Sequence, residues 1–473
     1  MMGICCMLDM LKDMLVDINY MHWSLGFVTA EFFWDLYLIL RQRRTVKENR
    51  TANEDVQKLM DEETYKKSRL YSLEKINFGI LQDAYHELEL LAITLTFFLA
   101  KLWNFSGKSI ESLGYTDELI QSNMFLLQTT ILSFVVHLPW SLYSTFVIEE
   151  RHGFNKMTMG FYFKDSLKKM AVSQLITTIM VTPLIWLIKW GGDYFFIYAW
   201  GFTFLFTMAI FFVYMDFIAP LFDKYTPVPD SPLRTAIVDL AKSINFPLTK
   251  LFVVDGSKRS AHSNAFFYGF FKNKRIVLFD TLLDDTCNPM LGLDADGNKR
   301  EFPGEEETVT TGKKKGCSQE EVVAVLGHEL GHWYHGHVWK PMILNQFLIL
   351  GMFYTFGLLV KNKKMLADFG FVEEQPTLIS LLVIFQFIFS PLNRVMSAVS
   401  IYITRCFEFQ ADRFAVGLGK GEKLQSSLIK LVTDNLSFPM ADKMFSTFNY
   451  SHPPILERIA AIKEEMAKKS KTE

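Results

Sequence analysis

Four of the chain's ten histidines lie within ten residues, in the stretch VLGHELGHWYHGHVWK that runs from Val325 to Lys340. Within it, His328-Glu329-Leu330-Gly331-His332 has the form HExxH. The preceding EEVVAVLG carries apolar residues at helical spacing, which predicts a helix through the motif. Residues four apart share one helix face, so both imidazoles can reach a single zinc ion. Glu329 then stands beside the metal, free to take a proton from a water held there. A catalytic zinc needs a third protein ligand and one open position. His335 lies seven residues from His328, about 10 Å along a helix axis, which one ion does not bridge. His337 is expected to point elsewhere, and position 338, where a metzincin has its third histidine, is Val338. The third ligand is therefore expected from farther along the chain.

The best candidate is Glu408, in RCFEFQADRFAVGLG. Glu408 and Asp412 are four apart and fall on one helix face. Glu408 can bind the metal while Asp412 accepts the N–H of a ligating histidine. Read alone, the segment is an amphipathic helix with an ordinary acidic face. The HExxH in the same chain changes that reading.

What positions these residues is a membrane. Of 473 residues, 50% are hydrophobic, 44 are Phe and only 21% are charged, against about 25% in average soluble chains. Apolar segments long enough to cross a bilayer are expected at about 21–40, 84–103, 124–148, 171–190, 195–219, 342–360 and 378–402. The 41–75 connection holds ten Lys and Arg and the 149–170 connection five, whereas the first 20 residues hold only Lys12 and 104–123 only Lys108. That alternation places the N-terminus in the lumen and the C-terminus in the cytosol. The 361–376 connection, with Lys361, Lys363 and Lys364, is the exception. The HExxH ends ten residues before the sixth span and Glu408 follows the seventh by six, about 15 and 9 Å of helix. Two helices leaving the membrane together bring the ligands to one site at its surface, so the substrate is expected to be lipid-bound.

The net charge of −2 and the lack of a basic block argue against nucleic acid. Cys5, Cys6, Cys287, Cys317 and Cys406 form no CxxC and no disulfide framework. The start lacks a basic n-region and a small-residue cleavage site, so no secretory signal peptide is expected. The metalloprotease parts are assigned to 220–341 and 403–473. The first holds strand-like runs LFVVD (251–255) and RIVLFD (275–280) and the apolar AFFYGFF, with a hairpin turn at Lys272-Asn273-Lys274. Residues 284–318, rich in Gly, Asp, Glu and Lys, are expected to form a disordered insertion.

Taken together, LPWSLYSTFVIEERHGFN, IAPLFDKYTPVP, GSKRSAHSNAFFYGFFKNKRIVLFDTLL, VLGHELGHW, FEFQAD and YSHPP resemble the type I CAAX prenyl proteases along nearly the whole chain. These are integral-membrane zinc metalloproteases of the endoplasmic reticulum and inner nuclear membrane. The resemblance implies a mainly α integral membrane protein, with seven transmembrane helices in a barrel around a water-filled chamber. A gluzincin-like protease domain with a small β-hairpin or sheet would cap it. Glu87, Glu89, His137 and Asp216, awkward inside a lipid-facing span, would then face a cavity. The resemblance implies one Zn2+ held by His328, His332 and Glu408, with Glu329 as general base and His452, in YSHPP, stabilising the oxyanion. It also implies that His262, Asn264 and Ala265 belong to an edge strand that clamps an extended peptide. Substrates would be farnesylated or geranylgeranylated proteins ending in Cys-a-a-X, cut to release the last three residues. A second, upstream cut would mature prelamin A-like proteins. Lys469 and Lys471, in KKSKTE, resemble a dilysine retrieval signal. Two other readings stand beside this one: a general quality-control metalloprotease of membranes, and a non-proteolytic scaffold or transporter. Loss of His328, Glu329, His332 or Glu408 would favour the last, and all four are present.

Overall fold

The structure, a computed structural model, describes residues 19–262, 265–269, 273–287 and 315–472. Asn264, Lys272 and most of the 284–318 segment lie outside the described residues. The two ends of that segment, expected to be disordered, are ordered. Cys317 N donates to Leu282 O at 2.7 Å and Asp284 N to Cys317 O at 3.1 Å, pinning its two ends together.

Among the described residues, five helices are long and apolar enough to span a membrane: Tyr20–Glu48, Glu118–Glu149, Met159–Trp190, Gly192–Leu221 and Trp339–Leu359. Two bent pairs complete seven. The second expected span, 84–103, is Glu62–Leu95 followed by Phe98–Glu111 at 64°. The break falls where Phe97 adopts a left-handed φ of 53°. The seventh is Thr377–Ile388 followed by Ser390–Gly417 at 59°. Pro391, at the start of the second piece, has no N–H to continue the helical ladder. The straight spans read from hydropathy are therefore corrected to bent ones at both places.

The spans close a ring. Each packs on the next in order from the first to the sixth, and Phe353 and Phe356 of the sixth pack on Phe385 of the seventh, which returns to the first. In the five long spans only 6–17% of the apolar window is buried, which a solid bundle would not allow. One end is plugged by an apolar cluster that includes Trp103, Phe125, Phe356 and Ile379. The connections alternate between the two ends of the ring. Tyr20 N donates to Asp368 at 2.8 Å and Thr377 N to Glu118 at 2.7 Å at the plugged end. At the other end, Arg41 holds Asp442 at 3.0 Å. Lys361, whose charge disagreed with the count, faces Asp193 on the plugged side.

The protease domain sits on the open end. Strands β1 (Tyr225–Pro227), β2 (Leu248–Val254), β3 (Ala265–Tyr268) and β4 (Lys274–Phe279) form one sheet in the order β1-β2-β4-β3. β2 and β4 are parallel and the other pairs antiparallel. The β3–β4 hairpin is the expected one, and β3 is an edge; β1 was not read from the sequence. Gly269 makes the hairpin possible: at φ +107° its missing Cβ would lie 2.1 Å from Asn273 O. Behind the sheet lies the HExxH helix, Gln319–Tyr334, started by a capping box between Ser318 and Glu321.

Candidate metal centre

The HExxH helix is not continuous with the sixth span. It ends at Tyr334, and the chain turns at Gly336, φ +69°, before Trp339 begins the span. The helix carrying Glu408 does run on unbroken from the seventh span, as Ser390–Gly417. The two helices pack closely, and one Cβ fewer at Gly331 lets them do so: a Cβ there would stand 3.1 Å from Ala411 Cα.

The crossing brings three ligand atoms together. His328 Nε2 lies 3.2 Å from His332 Nε2 and 3.5 Å from Glu408 Oε2, while His332 Nε2 lies 3.3 Å from Glu408 Oε1. A tetrahedral ion with bonds of about 2.0–2.1 Å needs ligand atoms about 3.3 Å apart. Glu408 Oε2 is buried without a hydrogen-bond partner. Charge agrees in sign: the carboxylates of Glu408 and Asp412, with Glu329 beside them, outnumber the one guanidinium, Arg458, when the imidazoles are neutral. The donor set fits a divalent metal.

Around the three ligands a shell of hydrogen bonds settles which ring nitrogen carries a proton. His328 Nδ1 lies 2.9 Å from Asp412 Oδ1, which can only accept, so Nδ1–H donates and Nε2 keeps its lone pair. Asp412 is in turn gripped twice by Arg458, at 2.9 and 2.7 Å. His332 Nδ1 lies 2.9 Å from His337 Nδ1; His337 Nε2 lies 3.0 Å from Gln410 Oε1, and Gln410 Nε2 3.1 Å from His335 Nδ1. With His332 Nε2 facing the ion, one assignment satisfies the whole row: each group donates to the next, from His332 to His335. His337 also stacks on Phe407, centroids 3.9 Å apart. The expectation that His337 points elsewhere is thus corrected; it is not a ligand, but it orients one. His335 is no ligand either, as its distance implied.

Burial shapes the ionisation of these groups. It pushes the Glu329 carboxyl above its ordinary value, making the carboxylate a stronger base than in water. It pushes His337 down to about 4, keeping the ring neutral. Burial also opposes charge on His328, but the neighbouring carboxylates of Asp412 and Glu408 outweigh it and hold the metal-free ring up at about 9.

Of the other expected residues, His452 Nε2 comes within 3.4 Å of Glu408 Oε1, and its Nδ1 lies 3.1 Å from the Ser451 hydroxyl. His262 is wedged between Phe154, stacked at 4.2 Å, and Asn435, 3.1 Å from Nδ1. Ala265 is buried at the start of β3. A cavity of about 850 Å3 joins His262, His452 and Arg458 to Tyr71 and Lys75 of the second span, with Leu428 and Phe445 among its apolar walls. Sequence reasoning missed Arg458, 7% exposed, and Gln410. Both sit close in sequence to recognised residues, Arg458 shortly after YSHPP and Gln410 inside FEFQAD.

Comparison with known families decides what this centre belongs to. A family model described as the CAAX prenyl protease N-terminal region, five membrane helices, matches residues 42–224. The peptidase family M48 model matches 227–466. The chain belongs to peptidase family M48. In this M48 peptidase the matched segment contains His328, His332 and Glu408, and the family is one of metal-dependent proteases. The chain is 48% identical over 473 residues to the CAAX prenyl protease 1 homolog of Mus musculus, covering 98% of this chain and 99% of the relative. It is 33% identical to the probable CAAX prenyl protease 1 of Schizosaccharomyces pombe, over 98% and 94% of the two chains. The crystal structure of S. mikatae Ste24p matches with a TM-score of 0.81 at 32% identity, over 94% of this chain and 99% of that one.

Proposed function

We propose that this M48 peptidase is a zinc-dependent endoprotease of prenylated CAAX proteins. The observation that carries the reading is the placement of the His328–His332–Glu408 triangle. One of its residues, Glu408, rides on a membrane span, and His452 and Arg458, both 3.4 Å from Glu408, line a cavity that reaches from the protease domain to the second span. A soluble peptidase has no need of that continuity; a substrate whose lipid stays in the membrane requires it.

Zinc, held by His328, His332 and Glu408, would polarise the scissile carbonyl and acidify a water. Everything else falls to the chain. Glu329, made basic by burial, accepts the water's proton and passes it to the departing amine. Asp412, steadied by Arg458, and His337, steadied by Gln410, keep both imidazoles aimed. With Nδ1 accepting from the Ser451 hydroxyl, His452 carries its hydrogen on Nε2 and donates to the carbonyl oxygen as charge builds there. The substrate adds to β3 as an extra strand, so the backbone aligns the bond to be cut. Ala265 begins that strand and Asn264 precedes it. His262, clamped by Phe154 and Asn435, shapes the cavity wall.

The finer assignments rest on the resemblance and the charge pattern. The protease domain and C-terminus face the cytosol or nucleoplasm and the plugged end faces the lumen, in membranes of the endoplasmic reticulum and inner nuclear envelope. Prelamin A-like proteins are cut a second time, upstream of the lipid.

The test compares a farnesylated Cys-a-a-X peptide with its unprenylated twin on purified protein, with and without chelator and with Glu329→Ala. Cleavage that needs the lipid, the metal and Glu329 is expected. Cleavage indifferent to the lipid would overturn the substrate class, and cleavage by Glu329→Ala the mechanism.

A further inference from the structure

A second group of metal-binding side chains lies inside the membrane ring, away from the catalytic centre. His86 and Glu89 are three apart on the helix Glu62–Leu95 and share a face. His137 comes from the helix Glu118–Tyr143. One ligand atom of each lies within 4.8 Å of the others.

The hydrogen bonds of His137 leave the group short of a positive charge. Its Nδ1 lies 2.8 Å from the backbone carbonyl of Ser133. A carbonyl only accepts, so the ring hydrogen is on Nδ1. Nε2 then turns its lone pair on Glu89 Oε2 at 3.1 Å, an arrangement that repels unless a cation stands between. His86 adds a second deficit. Its Nε2 is shut off from solvent with no hydrogen-bond partner, while its ring meets that of His137 edge-on, centroids 5.0 Å apart. An extra proton on His137 would answer the contact with Glu89 but leave His86 Nε2 unpartnered. A single metal ion answers both.

We infer that His86, Glu89 and His137 form a second divalent-metal site, of the zinc class, within the transmembrane ring. Two imidazoles and one carboxylate are the donors that suit zinc. A cavity of about 410 Å3, edged by the hydroxyls of Ser133, Ser141 and Ser166, touches His137 and admits water to the remaining coordination position. The ion ties the second span to the third. On the second span it sits eleven residues from Lys75, about 16 Å along the helix, below the cavity that serves the catalytic centre. It therefore fixes how that wall of the cavity stands.

The test counts ions. Full-length protein in detergent is stripped with chelator, dialysed against buffered Zn2+ and measured by elemental analysis, beside His328→Ala/His332→Ala. Two ions per chain in the parent and one in the double variant are expected. Co2+ loaded into the double variant should show visible d–d bands, which His86→Gln and His137→Gln each abolish. One ion in the parent, none in the double variant, or bands that survive His86→Gln overturn the site. If the double variant fails to fold, the parent decides with His86→Gln alone: two ions falling to one support the site, and an unchanged count overturns it.

Discussion

Gly331 lies so close to Ala411 that the HExxH helix and the Glu408 helix touch backbone to backbone. A Cβ on Gly331 would meet Ala411 Cα and Phe414 Cβ, both at 3.1 Å. That contact sets the distance across which Glu408 reaches the two histidines. Gly331→Ala should push the helices apart by a few tenths of an ångström and reduce metal affinity and kcat/KM on the order of tenfold to a hundredfold. One turn earlier, Gly327 has 3.8 Å of room to Ala415 Cβ. Gly327→Ala should therefore keep activity and gain up to about 1 kcal/mol from helix propensity. Equal activities for the two variants would refute the argument.

Asp412 stands between His328 and Arg458, and variants of Asp412 and Arg458 fail differently. Asp412→Asn keeps the shape but weakens the grip on His328, so zinc affinity should drop about 10–100-fold. Arg458→Ala leaves Asp412 buried without its partner, which costs on the order of 3–5 kcal/mol. A chelator competition titration should single out the first variant, and thermal unfolding the second.

His337 acts through His332. His337→Leu removes the acceptor of the His332 Nδ1 hydrogen, and zinc affinity should fall about tenfold or more, while the protein's melting temperature in excess zinc changes little. Zinc affinity equal to the parent's would show that His332 needs no such support.

Metal binding should release a proton. In the metal-free centre His328 is held up to about 9 by its carboxylate neighbours, above the ordinary imidazole value of about 6.5. Below pH 9 the ring is mostly protonated, and a metal must displace that proton. Apparent affinity should therefore rise about tenfold per pH unit as pH climbs toward 9, then level off. Calorimetry in buffers of different ionisation heat counts the protons released; a count of zero at pH 7 would exclude a protonated His328.

Much of this protein was legible in one dimension because its signals are local. A run of about 20 apolar residues has the length of a bilayer whatever lies around it, so all seven spans could be read. The lysine- and arginine-rich 41–75 and 149–170 connections lie at the same end of the ring, the end that carries the protease domain. Spacing of four on a helix put His328 with His332, and Glu408 with Asp412, before any tertiary contact was known. The bends at Phe97 and Phe389 were invisible, since hydropathy records composition and not backbone angle. So was β1, three residues long and a strand only because β2 lies beside it. His337 looked misdirected on an ideal helix; the turn at Gly336 swings it back beneath His332.

The sequence by itself pointed to the membrane class, to His328 and His332 as candidate metal ligands, to Glu329 as candidate general base and to Glu408 as the best candidate for the third ligand. Those follow from periodicity and side-chain chemistry, which act over a few residues. Only the tertiary structure decided how Arg458, 46 positions beyond Asp412, and Gln410 support the ligands, and that His86, Glu89 and His137 meet inside the ring. Such partners are chosen by which helices cross and how closely. Those crossings depend on packing volumes, such as the absent Cβ of Gly331, that no local pattern encodes.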